Sequence, residues 1–228
     1  MIMKPSDKDI IAQETLSYLN NYNDYIFNKV SNFIVGNKIL DFGSGFGLFC
    51  KFLKDKGYKI DAYEINKEAK QKTIEKGIDT FSSLDEIVKK YNTITSMNVL
   101  EHVENDESLL IDINSILEPG GHLILFLPCS KFVWSQMDVD ANHYRRYSKE
   151  EIIKKLNSTN FEIISYHYSD FIGWSVLVLL KIFRIKPTFN KNLLIFYDKF
   201  IFKFFKYLDK IFKNIIGKNI IVFAKKIN

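Results

Sequence analysis

The side chains best suited to chemistry fall in three stretches of the sequence. In Asp41-Phe-Gly-Ser-Gly-Phe-Gly47 an acid is followed by glycines at alternate positions. Glycine serves there because a Cβ would block a ligand's approach to the backbone or forbid the turn's φ angles. The amphipathic segment from Leu48 aims its N-terminal amides at the same spot. Glu64 lies 17 residues after Gly47, at the end of a short apolar run. A carboxylate there can accept hydrogen bonds from both ribose hydroxyls of an adenosine, with Ile65 on one adenine face.

The other two stretches carry histidines. Met97-Asn-Val-Leu-Glu-His-Val103 holds His102, which either faces a substrate or caps the following helix. Phe132 to Tyr147 ends in Asn-His-Tyr-Arg-Arg-Tyr and holds His143, the candidate general base, since imidazole titrates near neutrality. Arg145 and Arg146 can grip a phosphate or carboxylate through paired bonds. Alternatively they pair with Asp138 and Asp140 and hold the loop. Tyr144 and Tyr147 can stack on a sugar or ring. Asp138, Asp140 and His143 also read as a metal cluster, but the spacing is generic and no metal is expected.

The elements that must position these groups alternate strand and helix. Strands are expected at Ile39–Leu40, Lys59–Tyr63, Ile78–Phe81, Thr93–Met97, His122–Leu127, Phe161–Tyr168 and Ile220–Lys226. Helices are expected at Asn66–Lys76, Ser83–Lys90, Glu104–Leu117 and, from the capping box Ser148-Lys-Glu-Glu151, to Asn157. Residues 6–36 read as two helices broken at Asn20-Asn-Tyr-Asn-Asp24, with Gly36-Asn37 closing the second. Such alternation argues for a parallel, doubly wound α/β sheet.

The 228 residues, 46% hydrophobic and 26% charged, suit one globular domain with an appendage. Cys50 and Cys129 lack metal-like spacing and read as reduced thiols in a cytoplasmic protein. The N-terminus has no apolar signal segment, and no apolar run reaches the roughly 20 residues that span a bilayer. Charge is uneven. From Lys181 onward twelve Lys/Arg face two acids, Asp198 and Asp209, whereas the first 180 residues carry 20 Lys/Arg against 25 acids.

The glycine stretch resembles the (D/E)xGxGxG motif of the class I S-adenosylmethionine-dependent methyltransferases, and differs from the GxGxxG of dinucleotide folds. The LEHV segment and Leu117-Glu-Pro-Gly-Gly-His-Leu-Ile-Leu125 match further motifs of that family, in order. The resemblance implies a Rossmann-like, doubly wound, seven-stranded sheet, mostly parallel, with an antiparallel last strand. It implies S-adenosylmethionine as cofactor, held by Asp41, Gly43, Ser44, Gly45, Glu64 and Ile65. Asn98 and Val99 would line the methionine portion. Where many members place an acid for the adenine amino group, this chain has Phe81-Ser82-Ser83, so Phe81, backbone and Ser82 take that place. Asn21-Tyr-Asn-Asp-Tyr-Ile26 resembles the stretch of a bacterial subset in which an aromatic closes over the cofactor, here Tyr22; ordinary helix packing is the alternative. The loop ending in His143 and Arg146 resembles one of the same subset, often found beside polysaccharide genes.

The expected organisation is an N-terminal helical segment, 1–36, over a core of 37–169 and 219–228, with a helical insert at 170–218 between the last two strands. The insert opens on an uncharged apolar run, Phe171–Leu180, too short to cross a bilayer, and continues in a helix, Asn190–Ile216. In the latter Lys199, Lys203, Lys206, Lys210 and Lys213 form a stripe among large apolar residues. Such a helix can lie on an anionic membrane surface, here the inner face, or pack as a lid. No nucleic-acid motif is present. The expected function is methyl transfer to an O or N acceptor of a small molecule, a saccharide or lipid-linked intermediate. A nicotinamide-dependent oxidoreductase and a non-catalytic membrane-associated protein are the alternatives.

Overall fold

A computed structural model of the protein describes residues 13–187 and 190–227. The part of the predicted helical stretch before Gln13 lies outside them. Seven strands form one sheet: β1 (Ile39–Phe42), β2 (Ile60–Tyr63), β3 (Thr80–Phe81), β4 (Tyr91–Met97), β5 (Leu117–Pro128), β6 (Phe161–Ser169) and β7 (Asn219–Lys226). Their order is β3-β2-β1-β4-β5-β7-β6. The first five are parallel, and β7 runs antiparallel between β5 and β6. Strand order reverses at β1, so the crevice past its carboxyl end is where such a sheet receives ligands.

Period-two alternation divides the core. Leu123, Leu125 and Leu127 of β5 and Val222 and Ala224 of β7 face Leu109, Leu110 and Ile113 of α4 (Asp106–Ile116) and Ile152 and Leu156 of α6 (Lys149–Ser158). Ile124, Phe126 and Ile221 turn the other way, onto Ile26 and Val30 of α1 (Asn20–Ser31) and Phe49 and Leu53 of α2 (Leu48–Asp55). Each such buried side chain contributes roughly 1.5–3 kcal/mol. Between β2 and β3 lies α3 (Lys67–Ile74), with Asn66 capping it by accepting from Ala69 N at 2.9 Å.

Four local expectations are corrected. The asparagine-rich stretch 20–24, expected to break the N-terminal helices, is the first turn of α1; the break sits at Tyr18-Leu19. The reason is a distant cap: Asp198 accepts from Asn21 N at 3.1 Å and Tyr22 N at 2.8 Å. The helix expected at 83–90 is only a 3-10 turn, Leu84–Glu86, capped by Ser83. The Pro119-Gly-Gly121 stretch is absorbed into a long β5 with a register shift against β4. The single helix expected over 190–216 is broken into α8 (Lys191–Phe196), a π turn (Tyr197–Phe202), α9 (Lys203–Phe205), a 3-10 turn (Lys206–Leu208) and α10 (Asp209–Phe212). Its two acids turn inward. Asp198 caps α1, while Asp209 accepts from Asp170 N, Phe171 N, Ser169 Oγ and Lys29 Nζ at 2.8–3.1 Å. The preceding insert helix, α7 (Phe171–Ile182), stacks Phe171 on Phe212 with ring centroids 3.7 Å apart.

Candidate active site

The glycine turn follows β1 and is tied to the end of β2. Gly43 N and Ser44 N both donate to Tyr63 O, at 2.8 and 3.1 Å. Gly43 has φ +79°, and a Cβ there would lie 2.3 Å from Val99 Cγ2. The turn therefore touches the segment after β4, which it could not do with a side chain. Glu64 is buried, its Oε2 accepting from Gly45 N and its Oε1 from Asn66 N, both at 2.8 Å. Burial pushes Glu64 upward, and those two amides pull the other way. Each oxygen keeps a further lone pair for a ligand hydroxyl.

Asp41 lies beneath this turn rather than at its surface. It accepts from Thr95 Oγ1 at 2.7 Å and Cys50 Sγ at 3.4 Å. Burial pushes its carboxyl up to about 6. Ser44 Oγ is buried without a hydrogen-bond partner. An orphaned hydroxyl beside open backbone fits a polar ligand on the turn. Ile65, Phe81 and Val99 are partly buried against the core, and Asn98 takes φ +54° with its N–H on Phe126 O at 2.8 Å. Ser82 is engaged, its Oγ accepting from Lys70 Nζ at 2.7 Å. Tyr22 packs its ring on Phe202 at 5.0 Å, and its hydroxyl accepts from Asn219 Nδ2 at 2.9 Å, which is the helix-packing alternative. From the N-terminal side Gln13 approaches the turn instead. Its Oε1 lies 2.8 Å from where a Gly45 Cβ would be.

The histidine stretches converge. His102 closes a 3-10 turn (Leu100–His102) after β4, and its ring meets His143 edge-on with centroids 4.7 Å apart. His143 follows α5 (Gln136–Asp140), and its Nδ1 lies 3.1 Å from Asp138 Oδ1. Asp138 also accepts from Arg146 Nε at 2.7 Å and Ser135 N at 2.9 Å. Burial pushes Asp138 up, but His143 and Arg146 hold it below the usual carboxylate range. An ionised Asp138 fixes the proton on Nδ1 and leaves Nε2 as the basic atom. That Nε2 lies 4.0 Å from Glu101 Oε1.

The sequence reading missed Glu101. It is fully buried, both carboxylate oxygens lack hydrogen-bond partners, and burial pushes it up to about 7. Its only sequence signal was its place between Leu100 and His102. Tyr144 N donates to Glu101 O at 2.8 Å, which ties the two histidine stretches together, and the Tyr144 ring is exposed. Arg146 takes the internal pairing expected with Asp138, whereas Arg145 pairs with an acid outside the expected pair. Arg146 is buried on Asp138 and Cys129 O, and Arg145 pairs with Asp106 at 2.8 Å. Tyr147 is buried and donates to Asp106 Oδ2 at 2.8 Å, so it does not stack on a ligand. Asp140 accepts from Gln136 Nε2 rather than joining a metal cluster with His143. The three groups that do gather are Glu101, His102 and His143, with one ligand atom of each within 4.8 Å of the others.

A family model described as a methyltransferase domain matches residues 17–166. The chain belongs to this methyltransferase family. The methyltransferase is 24% identical over 191 residues to the ubiquinone biosynthesis O-methyltransferase of Proteus mirabilis, covering 71% of this chain and 74% of that one. Among solved structures, it resembles geranyl diphosphate C-methyltransferase from Streptomyces coelicolor with TM-score 0.65 at 8% identity, over 95% of this chain and 84% of that one. It also resembles magnesium protoporphyrin IX methyltransferase from Synechocystis, solved with the methyl donor bound, with TM-score 0.56 at 16% identity over 94% and 83%. The methyltransferase therefore uses S-adenosylmethionine, and the nicotinamide alternative falls. Among the described residues, no helix is long and apolar enough to cross a membrane.

Proposed function

We propose that this methyltransferase moves the methyl group of S-adenosylmethionine to an oxygen or nitrogen of a small molecule, a saccharide or a lipid-linked intermediate, with His143 accepting the proton. The observation that carries the reading is the file Asp138–His143–Glu101, at the carboxyl end of β4, two residues from the Val99 that the glycine turn touches. The donor binds along Gly43, Ser44, Gly45, Glu64, Ile65, Phe81, Asn98 and Val99. It supplies an electrophilic methyl carbon on a sulfonium. His143 Nε2 takes the acceptor's proton, Asp138 stabilises the imidazolium that forms, and Glu101 lies close enough to share the charge. His102 borders the acceptor, and Tyr144 offers an exposed ring for a sugar.

Two features support the acceptor class. A groove of about 230 Å³ is lined by Trp134, Ser135 and Gln136 on the loop side and Lys181, Arg184 and Lys186 on the insert side. Its wall includes the Ser135 whose amide donates to Asp138. An aromatic beside cations suits a sugar that carries phosphate. The insert also exposes Phe196, Phe200, Phe204, Phe205, Tyr207 and Ile211, each about half exposed or more. Interleaved with Lys199, Lys203 and Lys210, these suit the surface of an anionic bilayer, each lysine contributing about 1 kcal/mol.

The test is transfer of a labelled methyl group into lipid and glycan extracts of the source cell. Label is expected in one acceptor class, and His143→Ala should lower turnover about 10²–10⁴-fold. The same variant should keep its thermal shift with S-adenosylhomocysteine. Unchanged turnover removes His143 from the mechanism. Co-sedimentation with phosphatidylglycerol vesicles, lost when Lys199, Lys203 and Lys210 become glutamate, tests the membrane contact; no sedimentation at low salt rejects it.

A further inference from the structure

Helix α7 and the residues after it present a physical problem. Phe171 to Leu180 carries no charge, and a helix apolar on all sides is ordinarily covered by core or by lipid. Here Gly173 is the helix's only buried residue, and Leu179, Ile182, Phe183 and Ile185 are each more than half exposed. At twelve residues the helix is about 18 Å long, well short of a bilayer's hydrocarbon thickness. It is pinned to the loop after β5 near both ends. Trp174 Nε1 donates to Ser130 Oγ at 3.0 Å, and Lys181 Nζ donates to Phe132 O. An apolar flank is left open between them.

The far end of this flank is basic. Lys181, Arg184 and Lys186 line the groove already described, and no acid lines it. Among the described residues, Arg184 and Lys186 have no acid partner. Val133, Leu177, Ile185 and Pro187 make up the groove's apolar part. Leu177 belongs to both helix and groove, so the two surfaces are continuous. On the opposite wall Ser135 donates its amide to Asp138, which holds His143. Apolar flank, cations and base thus follow one another.

We propose, resting on the transfer reading and deepening it, that the acceptor is a lipid phosphate: its hydrocarbon chain lies along α7, its phosphate sits on Lys181, Arg184 and Lys186, and the group to be methylated extends past Ser135 toward His143. A sugar phosphate without a chain leaves α7 uncovered. A bilayer surface meets the cations only from outside, whereas Trp134, Ser135 and Gln136 wall them in from the other side. One amphiphile satisfies both surfaces. Guanidinium and ammonium groups hold phosphate by charge-assisted bonds, and each methylene removed from water tightens binding about fourfold.

The two tryptophans of the chain report on the two parts of this path, Trp134 in the groove and Trp174 on α7. The experiment titrates the full chain with dodecyl phosphate below its micelle concentration, without vesicles, and reads tryptophan emission and the heat of binding. Emission from both Trp134→Phe and Trp174→Phe should shift to the blue, at one shared midpoint. Octyl phosphate should bind about 10–100-fold more weakly. Dodecyl maltoside, with the same chain and no charge, should be weaker by a similar factor, as should dodecyl phosphate on Arg184→Gln/Lys186→Gln. That double variant should bind dodecyl maltoside as the unaltered chain does. A thermal shift with S-adenosylhomocysteine reports which variants are folded; should a tryptophan variant lose it, the heat of binding to the unaltered chain decides. Label transferred from the methyl donor is expected in a phosphate-bearing lipid of the cell extract.

No saturable binding of dodecyl phosphate, or equal binding of dodecyl phosphate and dodecyl maltoside, overturns the site. Glucose 1-phosphate binding as tightly as dodecyl phosphate reduces the groove to a sugar-phosphate subsite and overturns the chain's place on α7. Sedimentation with phosphatidylglycerol vesicles, without binding of monomeric dodecyl phosphate, assigns α7 to the bilayer and overturns the proposal. Label in a lipid that lacks phosphate does so as well. Saturable binding with no label in any fraction leaves a lipid-phosphate site standing and rejects the transfer reading. Label confined to water-soluble glycans, with no binding of dodecyl phosphate, does the reverse.

Discussion

Replacing Asp41 by asparagine should stabilise the protein at neutral pH and do little at pH 4. Asp41 is 2% exposed, and burial raises its carboxyl from the ordinary 3.8 to about 6, against the bonds from Thr95 and Cys50. For an acid raised by folding, the folded chain holds the proton more tightly than the unfolded one between those two values. Stability therefore falls as pH rises through this window and stays lower above it. The rise corresponds to about 3 kcal/mol at most, at about 1.4 kcal/mol per pH unit. Asparagine does not titrate, so it escapes this loss. Its expected gain at pH 7.5 is about 2–3 kcal/mol, or roughly 5–10 °C in melting temperature. The assay is urea unfolding followed by tryptophan fluorescence from pH 4 to 7.5, comparing the two chains at each pH. A difference that stays constant across that range refutes the reasoning. The variant also tests why an acid sits there. S-adenosylmethionine carries a sulfonium charge and S-adenosylhomocysteine does not, so the variant should weaken the first more than the second. Equal losses assign Asp41 to the fold alone.

Gly43→Ala should abolish measurable donor binding by calorimetry, because its Cβ would lie 2.3 Å from Val99 Cγ2 at φ +79°. The accompanying strain is about 1–3 kcal/mol, read as a lower melting temperature. Asp209→Asn should cost more than 2 kcal/mol by urea unfolding, since Asp209 accepts from two backbone amides, Ser169 and Lys29. Although burial pushes Asp209 up, Lys29 and those amides hold it below the usual range. Its contribution is thus present above about pH 4 and lost as pH falls toward its lowered value. Asp198→Ala should free the start of α1, for about 1–2 kcal/mol and faster amide exchange at Asn21 and Tyr22.

What could be seen in the sequence was whatever depends on neighbours in the chain. Three glycines after an acid, the capping box at Ser148 and the alternation of β5 and β7 encode turn, helix start and sheet face within a few residues. The adenosine side of the site belongs to this class, because a βα turn is local. The acceptor side does not. Glu101 became visible only when the loop after β5 folded over the turn after β4, which put Asp138 behind His143 and emptied the surroundings of Glu101. The same blindness produced the error at Asn20–Asp24. An asparagine cluster prefers turns until an aspartate 177 residues away caps it. The lysine rhythm of the insert likewise concealed that Asp198 and Asp209 face inward, so a continuous helix was expected where a π turn and a 3-10 turn interrupt it.

The position of β7 has a consequence for how the chain reaches this shape. Until residues 219–226 have been made, β5 has one bare edge and β6 has no partner at all. Helix α1, made well before Asp198, also waits for it before its leading amides are satisfied. A growing chain thus carries an open edge on β5 from about residue 128 and an unpaired β6 beside a phenylalanine-rich insert over the last quarter of these residues, and chaperone demand should be greatest then.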